Sequence, residues 1–441
     1  MPTAPGPRDA GAIPATRDRG DSCPGTLRLH AADDGALARV RIPAGVLTAG
    51  QALALWDAAQ RLGDGSLHLT SRGNVQLRGL GEGCDRELAD VLGAAGLLPS
   101  PRHERVRNIV ASPLSGLDGR GEADVQPWAR ELDRLLCASD AATGLSGRFL
   151  FAFDDGRGDM VALGADVTVR ATGRVGAVLR LGPGGTALSV RGEDAPRAAL
   201  LAAEAFLDAA RDIEARCWRM SELPGGSREL TVEVASRLRA DGIHSELVPA
   251  PAWTVGDPPL PGVVAGPEGP AALSVLAPLG VLTAAQWRQL VAVAEQNGNG
   301  ELRLTPWRGV ILPGVGAPGT ALASAGIVTS PVSPWLGVGA CIGRPGCAKS
   351  LADVRADAAA ALGPGPSGLP VYWSGCERRC GHPHGDWVDV VATADGYDIS
   401  VRGEMHREMH GEIRGEMPRT GMPPSELAAL VAAARTTAVT R

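Results

Sequence analysis

Lysine is almost missing from this chain. Of the 43 lysines and arginines in 441 residues, Lys349 is the one lysine. The codon bias of a GC-rich genome accounts for such a skew, so the scarcity marks no function. Excess positive charge is missing too. A net charge of −6 offers no electrostatic footprint for nucleic acid or an anionic membrane. No stretch approaches eighteen uninterrupted apolar residues, which argues against a membrane-spanning helix. The opening MPTAPGPRDAGAIPATRDRG has neither an apolar core nor a small-residue cleavage pattern. It does not read as a secretory signal, and its Pro, Gly and charge read as a disordered tail over residues 1–21. The expected location is cytoplasmic, where thiols stay reduced and clustered cysteines bind metal more often than they form disulfides.

What the chain does contain is a repeat. Residues 45–80 and 280–315 align without a gap at an offset of 235, and sixteen of the 36 positions are identical. Shared Gly and Ala explain some of these identities, but not the matched Thr, Gln and Leu. In each copy a short alternating stretch leads to a Thr placed three residues before a Gln: Thr48 and Gln51, then Thr283 and Gln286. That is the capping-box spacing for a helix start. About four helical turns then end at a Gly-rich turn, and strand-like runs follow, SLHLTSRGNVQL and ELRLTPWRGVIL. Each repeat reads β-α-β-β, and two copies about a pseudo-twofold axis are expected to close one sheet with helices on one face.

A longer segment follows each copy, with a helical stretch and a strand–turn–strand: GRFLFAFDDGRGDMVALGADVTV and DWVDVVATADGYDISV. The Pro-rich PAPAWTVGDPPLPG reads as a linker between the halves. The expected organisation is a tail over 1–21, a half-domain over 22–98, an α+β domain over 99–248, a linker over 249–262, a second half-domain over 263–329 and an α+β domain over 330–441.

Half of the eight cysteines crowd into forty residues near the end: Cys341 and Cys347 in ACIGRPGCAKS, Cys376 and Cys380 in SGCERRCGHP. The spacing is C-x5-C, then C-x3-C. Structural zinc prefers pairs two to four residues apart, and the five-residue gap is long for it. A [4Fe–4S] cluster takes four thiolates from looser loops and is tuned by amide hydrogen bonds to sulfur. The Gly and Pro of these loops let backbone approach closely. Cys347 is also expected to open a helix, CAKSLADVRADAAAAL, whose N-terminus favours a thiolate. Both metals stay open on spacing alone.

The cysteine pattern behind a duplicated LTxR half-domain resembles the nitrite/sulfite reductase superfamily. The resemblance implies an α+β fold: two ferredoxin-like half-domains in pseudo-twofold symmetry plus two α/β domains. It also implies that Cys341, Cys347, Cys376 and Cys380 hold a [4Fe–4S] cluster, with Cys380 bridging to siroheme iron in the reductases. Within the superfamily, CPGTLRLHAADDGALARVRIPAG and ACIGRPGCAKS are similar to the precorrin-3B synthases of cobalamin biosynthesis. That resemblance implies an O2-dependent hydroxylation of precorrin-3A, a mononuclear non-haem iron besides the cluster, and an electron donor, either an NADH-linked reductase or a ferredoxin.

The same resemblance implies that Arg72, in LTSRGNVQLRG, and Arg107, in RVRNIVASP, face the substrate. Arg148 matches the first base of a later two-base pattern, and Leu150 replaces the second. Reduction of sulfite or nitrite needs dense positive charge around a small oxyanion. The loss at position 150 therefore points away from a siroheme-dependent reductase, which is the competing function. Arginine forks equally suit the carboxylate arms of a tetrapyrrole. His382 is a candidate iron ligand beside His384. His68 reads as a surface residue, and the Glu/Met/His-rich run over 402–421 as a solvated segment.

Overall fold

The computed structural model describes residues 21, 23–213, 217–224, 227–317, 320–363, 368–383, 385–403, 419–422 and 424–437. The expected tail, apart from Asp21, lies outside the described residues. So do His384 and residues 404–418 of the Glu/Met/His-rich run. The chain forms two compact units. One holds Pro24–Glu104, Ser112–Gly121 and the chain from Asp257 onward; the other holds Cys23, Arg105–Ala111 and Glu122–Gly256.

The first repeat folds as β1 (His30–Ala32), β2 (Gly35–Val40), β3 (Val46–Thr48), α1 (Ala49–Leu62), β4 (Ser66–Leu69), β5 (Val75–Leu80) and α2 (Asp85–Ala94). The second unit follows, with β6 (Ile109–Ala111), α3 (Gln126–Ala138), β7 (Phe151–Asp154), β8 (Val167–Thr172), β9 (Gly176–Leu181), β10 (Thr186–Arg191), α4 (Ala195–Asp212), α5 (Ser227–Ala240) and β11 (Glu246–Pro249). Its six strands form one sheet in the order β11-β10-β9-β8-β7-β6. Strands β7 and β8 pair in parallel, so the segment expected as strand–turn–strand is not a hairpin. Antiparallel pairing begins only at β9.

The second repeat is β12 (Gly262–Gly266), β13 (Gly269–Leu276), β14 (Val281–Thr283), α6 (Ala284–Asn297), β15 (Glu301–Leu304), β16 (Gly309–Pro313) and the short α7 (Thr320–Ser324). Both expected capping boxes are present: the Gln51 and Gln286 amides donate to Thr48 and Thr283 Oγ1 at 3.2 Å. The Thr48 and Thr283 amides donate in return to the glutamine Oε1 atoms at 3.1 and 2.9 Å.

The repeats do not close one sheet. They build two sheets that exchange a strand: β1-β2-β5-β4-β14 and β12-β13-β16-β15-β3. The strand before each helix leaves its own repeat and pairs with the other, Leu47 opposite Leu302 and Leu282 opposite Leu67. The exchange is locked symmetrically. Ala49 N–H donates to Gly300 O at 2.8 Å, and its mate Ala284 N–H donates to Gly65 O at 3.0 Å. A three-residue strand cannot pair alone, so its partner sheet is where its backbone groups find acceptors. One core follows, with Leu55, Leu67 and Leu77 packed together with Trp287, Leu290 and Leu302.

A last sheet carries the C-terminal region: β17 (Val338–Ala340), β18 (Val371–Ser374), β19 (Trp387–Thr393), β20 (Gly396–Arg402) and β21 (Arg419–Met422), with α8 (Val354–Ala360) and α9 (Pro424–Thr437). Its own core centres on Val354, Trp373, Val388 and Leu427. Among the described residues no helix is long and apolar enough to cross a membrane.

Trp287 joins the two helices of the duplicated core. It is fully buried, and its Nε1–H donates to Ala52 O at 2.8 Å. Trp287→Ala is expected to destabilise the protein by about 3–5 kcal/mol. Trp287→Phe, which keeps most of the packing but loses the donor, should cost about 1–3 kcal/mol. Chemical denaturation of parent and variants measures both.

Candidate cluster-binding site

All four clustered cysteines belong to the same unit, on loops at the ends of β17 and β18. Cys341 directly follows β17, and its amide continues the ladder by donating to Trp373 O at 2.9 Å. Gly375, directly after β18, donates its N–H to Cys341 Sγ at 3.2 Å. This position demands glycine, because a Cβ there would lie 1.9 Å from Ser350 Oγ. Cys376 is the next residue, and Cys380 follows one short turn later.

Cys347 does not open a helix. Residues 347–353 form a turn and bend, and α8 starts only where Asp353 caps it, accepting from Ala356 N–H at 3.1 Å. The Cys347 loop is tied down instead by Ser350 N–H on Cys347 O at 3.0 Å and Arg344 Nε–H on Ser350 O at 2.8 Å. The cap explains the difference: an Asp side chain free to accept helix amides starts the helix at its own position.

Cys376, Cys341 and Cys347 all lie within electrostatic reach of Cys380. Cys380 is the most open of them, yet desolvation is the leading push on its thiol, upward. Arg378 opposes this, while Cys376, Cys341 and Cys347 each push it further up. Gathered around Cys380, these thiols form a donor set that a bound cation would take as thiolates. With the amide-to-sulfur hydrogen bond on Cys341, the donor set fits a [4Fe–4S] cluster.

Arginines surround this site, but they are not the ones expected. Arg78 on β5, Arg308 in the turn before β16 and Arg355 on α8 lie close enough that Arg78 and Arg308, after burial, hold the Arg355 guanidinium below its usual value. Arg355 Nε–H donates to Cys341 O at 3.1 Å, and Arg308 Nη2–H reaches Gly381 O at 3.4 Å. Tyr372 completes the wall. Its hydroxyl donates to Cys380 O at 2.6 Å, and burial first, then Cys341 and Cys380, push its pKa up. Arg308 has φ of 62°, a left-handed conformation that a side chain rarely adopts; its mate in the first repeat, at the same offset, is Gly73 with φ of 63°. An arginine where the other copy has glycine is a signal that the repeat alignment carries.

The expected arginines are divided between the units. Arg72 lies in the turn between β4 and β5 rather than in a strand; it is half-buried, with its N–H on Thr70 Oγ1 at 3.3 Å. Arg107 and Arg148 belong to the other unit. Arg107 is buried and forks onto Asp133, with both Nε and Nη2 at 2.7 Å from carboxylate oxygens. Arg148 is exposed and lies over the Trp218 ring at 4.7 Å. Leu150 is buried, its amide donating to Asp166 at 2.8 Å. His382 is exposed in the same stretch as Cys380, stacked on Trp387 with ring centroids 4.8 Å apart and Nδ1 2.9 Å from Pro383 O.

His68 is not a surface residue. It is 8% exposed on β4. The strand exchange covers it, because His68 pairs with Val281 of the other repeat.

With this geometry in view, two regions match the family model described as the nitrite/sulfite reductase ferredoxin-like half domain, residues 30–91 and 265–317. The chain carries this half domain twice. Among its relatives, a precorrin-3B synthase of Sinorhizobium sp is 28% identical over 90% of this chain and 85% of its own length. A ferredoxin–nitrite reductase of Synechococcus elongatus is 27% identical over 89% of this chain and 84% of its own. The fold is similar to that of the NirA protein of Mycobacterium tuberculosis, with a TM-score of 0.66, 17% identity, and coverage of 89% of this chain and 79% of that one. The two matched regions coincide with the paired half-domains, and the pair departs from its own symmetry at Arg308.

His68 gives the unit a pH dependence. Burial, ahead of its Asp64 contact and with Arg355 and Arg78 nearby, holds its pKa below the ordinary 6.5. The folded state therefore resists protonation there. Its contribution to stability is complete above about pH 6.5 and lost as pH falls below that value. Denaturation at pH 7.5 and pH 5.5 should show a smaller acid loss for His68→Gln than for the parent.

Proposed function

We propose that the chain is a precorrin-3B synthase of aerobic cobalamin biosynthesis. The reaction is the hydroxylation of precorrin-3A at C20 with closure of a γ-lactone from the ring A acetate. One oxygen atom of O2 enters the product. The other leaves as water with two electrons and two protons, the electrons coming from an NADH-linked reductase or a ferredoxin.

The observation that carries this reading is the state of two positions expected to bind a small oxyanion. Arg107 is neutralised by Asp133, and Leu150 is a buried apolar residue where the reductase pattern has a base. A small oxyanion needs concentrated, unpaired positive charge. A tetrapyrrole edged with carboxylates needs separated arginine forks and a large apolar contact. The 28% identity to a precorrin-3B synthase over 90% of the chain supports the same reading.

Cys341, Cys347, Cys376 and Cys380 would hold the [4Fe–4S] cluster, which supplies electrons one at a time when bound. Gly375 N–H steadies the Cys341 sulfur for it, and Tyr372 fixes the Cys380 backbone. His382 is the residue proposed for a mononuclear iron, with its ring oriented by Trp387. Arg72, Arg107 and Arg148 remain the arginines proposed for the substrate, with the Arg107 charge already paired by Asp133.

The ferredoxin–nitrite reductase likeness over 89% of the chain favours one second reading, a siroheme-dependent reductase of nitrite or sulfite. Incubation of anaerobically purified protein with precorrin-3A, a reductant and labelled O2 separates the two. The expected product is precorrin carrying one labelled oxygen, with the other label in water. Unchanged precorrin-3A, together with turnover of nitrite or sulfite, would overturn the proposal.

A further inference from the structure

The loop that presents Cys347 is gripped on both sides by the first repeat. Strands β1 and β2 join through the two-residue turn Asp33-Asp34, with Ala32 opposite Gly35. Asp34 receives a bidentate fork from Arg78, Nε at 2.8 Å and Nη2 at 2.7 Å. The same Nη2 also donates to Gly346 O at 3.0 Å. Asp33 Oδ2 accepts from Ala348 N–H at 2.6 Å. Gly346 and Ala348 are the two neighbours of Cys347, so contacts from more than 260 positions away in sequence fix the peptide on each side of that one thiol. The approach is close. A Cβ at Gly346 would lie 2.7 Å from Ile342 and 2.8 Å from Asp34 Oδ2.

The grip belongs to the first repeat alone. At the offset of 235 the counterpart of Arg78 is Pro313, which has no donor, and the second hairpin turns through Pro267-Glu268. Arg78 is 5% exposed and aligned by a charge pair, which makes it a rigid donor rather than a flexible surface arm. Neither Asp33, Asp34 nor Arg78 carries a thiol or stands in the cysteine motifs.

We propose that Asp33, Asp34 and Arg78 are positioning residues for Cys347 as a cluster ligand. This inference rests on the cluster reading above. By holding the peptides before and after Cys347, they keep its sulfur on the cluster when the cluster is oxidised. Outer partners of metal ligands typically change metal retention by about 10–100-fold when removed.

The test uses the full chain purified anaerobically with its cluster, as parent, Arg78→Ala, Arg78→Lys and Asp33→Ala. Iron and acid-labile sulfide are counted first, then bleaching in air is timed. Each sample is also titrated with ferricyanide. There the cluster gives one electron to ferricyanide and releases one Fe2+, passing from [4Fe–4S]2+ to the paramagnetic [3Fe–4S]+. Arg78→Ala should bleach roughly tenfold faster than the parent and give the three-iron signal at lower ferricyanide. Asp33→Ala should move both readouts the same way by a smaller factor, and Arg78→Lys should recover part of the loss. Asp33 is exposed at a hairpin turn and outside the core, so Asp33→Ala is expected to fold and decides the matter even if Arg78→Ala does not fold. Parent-like bleaching and parent-like ferricyanide titration in Asp33→Ala and any folded Arg78 variant would overturn the proposal while leaving the cluster reading standing. A parent without acid-labile sulfide would overturn both.

Discussion

The strand exchanged between the repeats is the constraint on which the rest of this unit depends. Because β3 pairs with β15 and β14 with β4, neither half-domain can complete its sheet alone. The two helices are thereby forced together, Trp287 reaches across to Ala52, and one apolar core replaces two inadequate ones. A 60-residue half-domain buries too little surface to be comfortably stable by itself, so sharing is the physical solution to its size.

A second consequence concerns symmetry. Once the two sheets are equivalent scaffolds, differences between the copies become the places where function is written. Gly73 and Arg308 occupy the same left-handed backbone position, and only the second copy sends a cation toward Cys380's loop. Arg78 and Pro313 occupy equivalent positions, and only the first copy can reach Gly346. His68 and Arg303 are likewise paired by the offset. His68 is neutral-leaning beside Arg78 and Arg355, whereas Arg303 donates to Pro113 O at 3.1 Å and Ser115 O at 2.7 Å. The cysteine site is therefore bordered by the asymmetric residues of an otherwise symmetric frame.

Much of this was legible in the sequence, and the failures have physical causes. The capping boxes, the Gly stops and the duplication are local signals, and the structure places Thr48, Thr283, Gly63 and Gly298 where those signals put them. The four cysteines lie on loops of one unit, with Cys341, Cys347 and Cys376 within electrostatic reach of Cys380. Pairing between distant strands is not a local signal, so two exchanged sheets stood where one was expected, and His68 was covered by a strand 213 positions away. The helix expected at Cys347 lost to Asp353, a better cap six residues later. Arg78 and Arg355 could not be singled out among so many arginines, because what distinguishes them is burial against a loop from another part of the chain. Arg308 could have been found, since the gapless alignment sets it against a glycine.

In the proposed function these four thiols hold an iron–sulfur cluster, and a tetrapyrrole is bound as substrate rather than kept as siroheme. The optical spectrum of the anaerobically purified chain, read with its iron and acid-labile sulfide content, tests this most directly. The expected spectrum is a broad brown cluster absorption without siroheme bands, with about four irons and four sulfides per chain. Stoichiometric siroheme bands, or four thiols holding zinc with no sulfide, would contradict it.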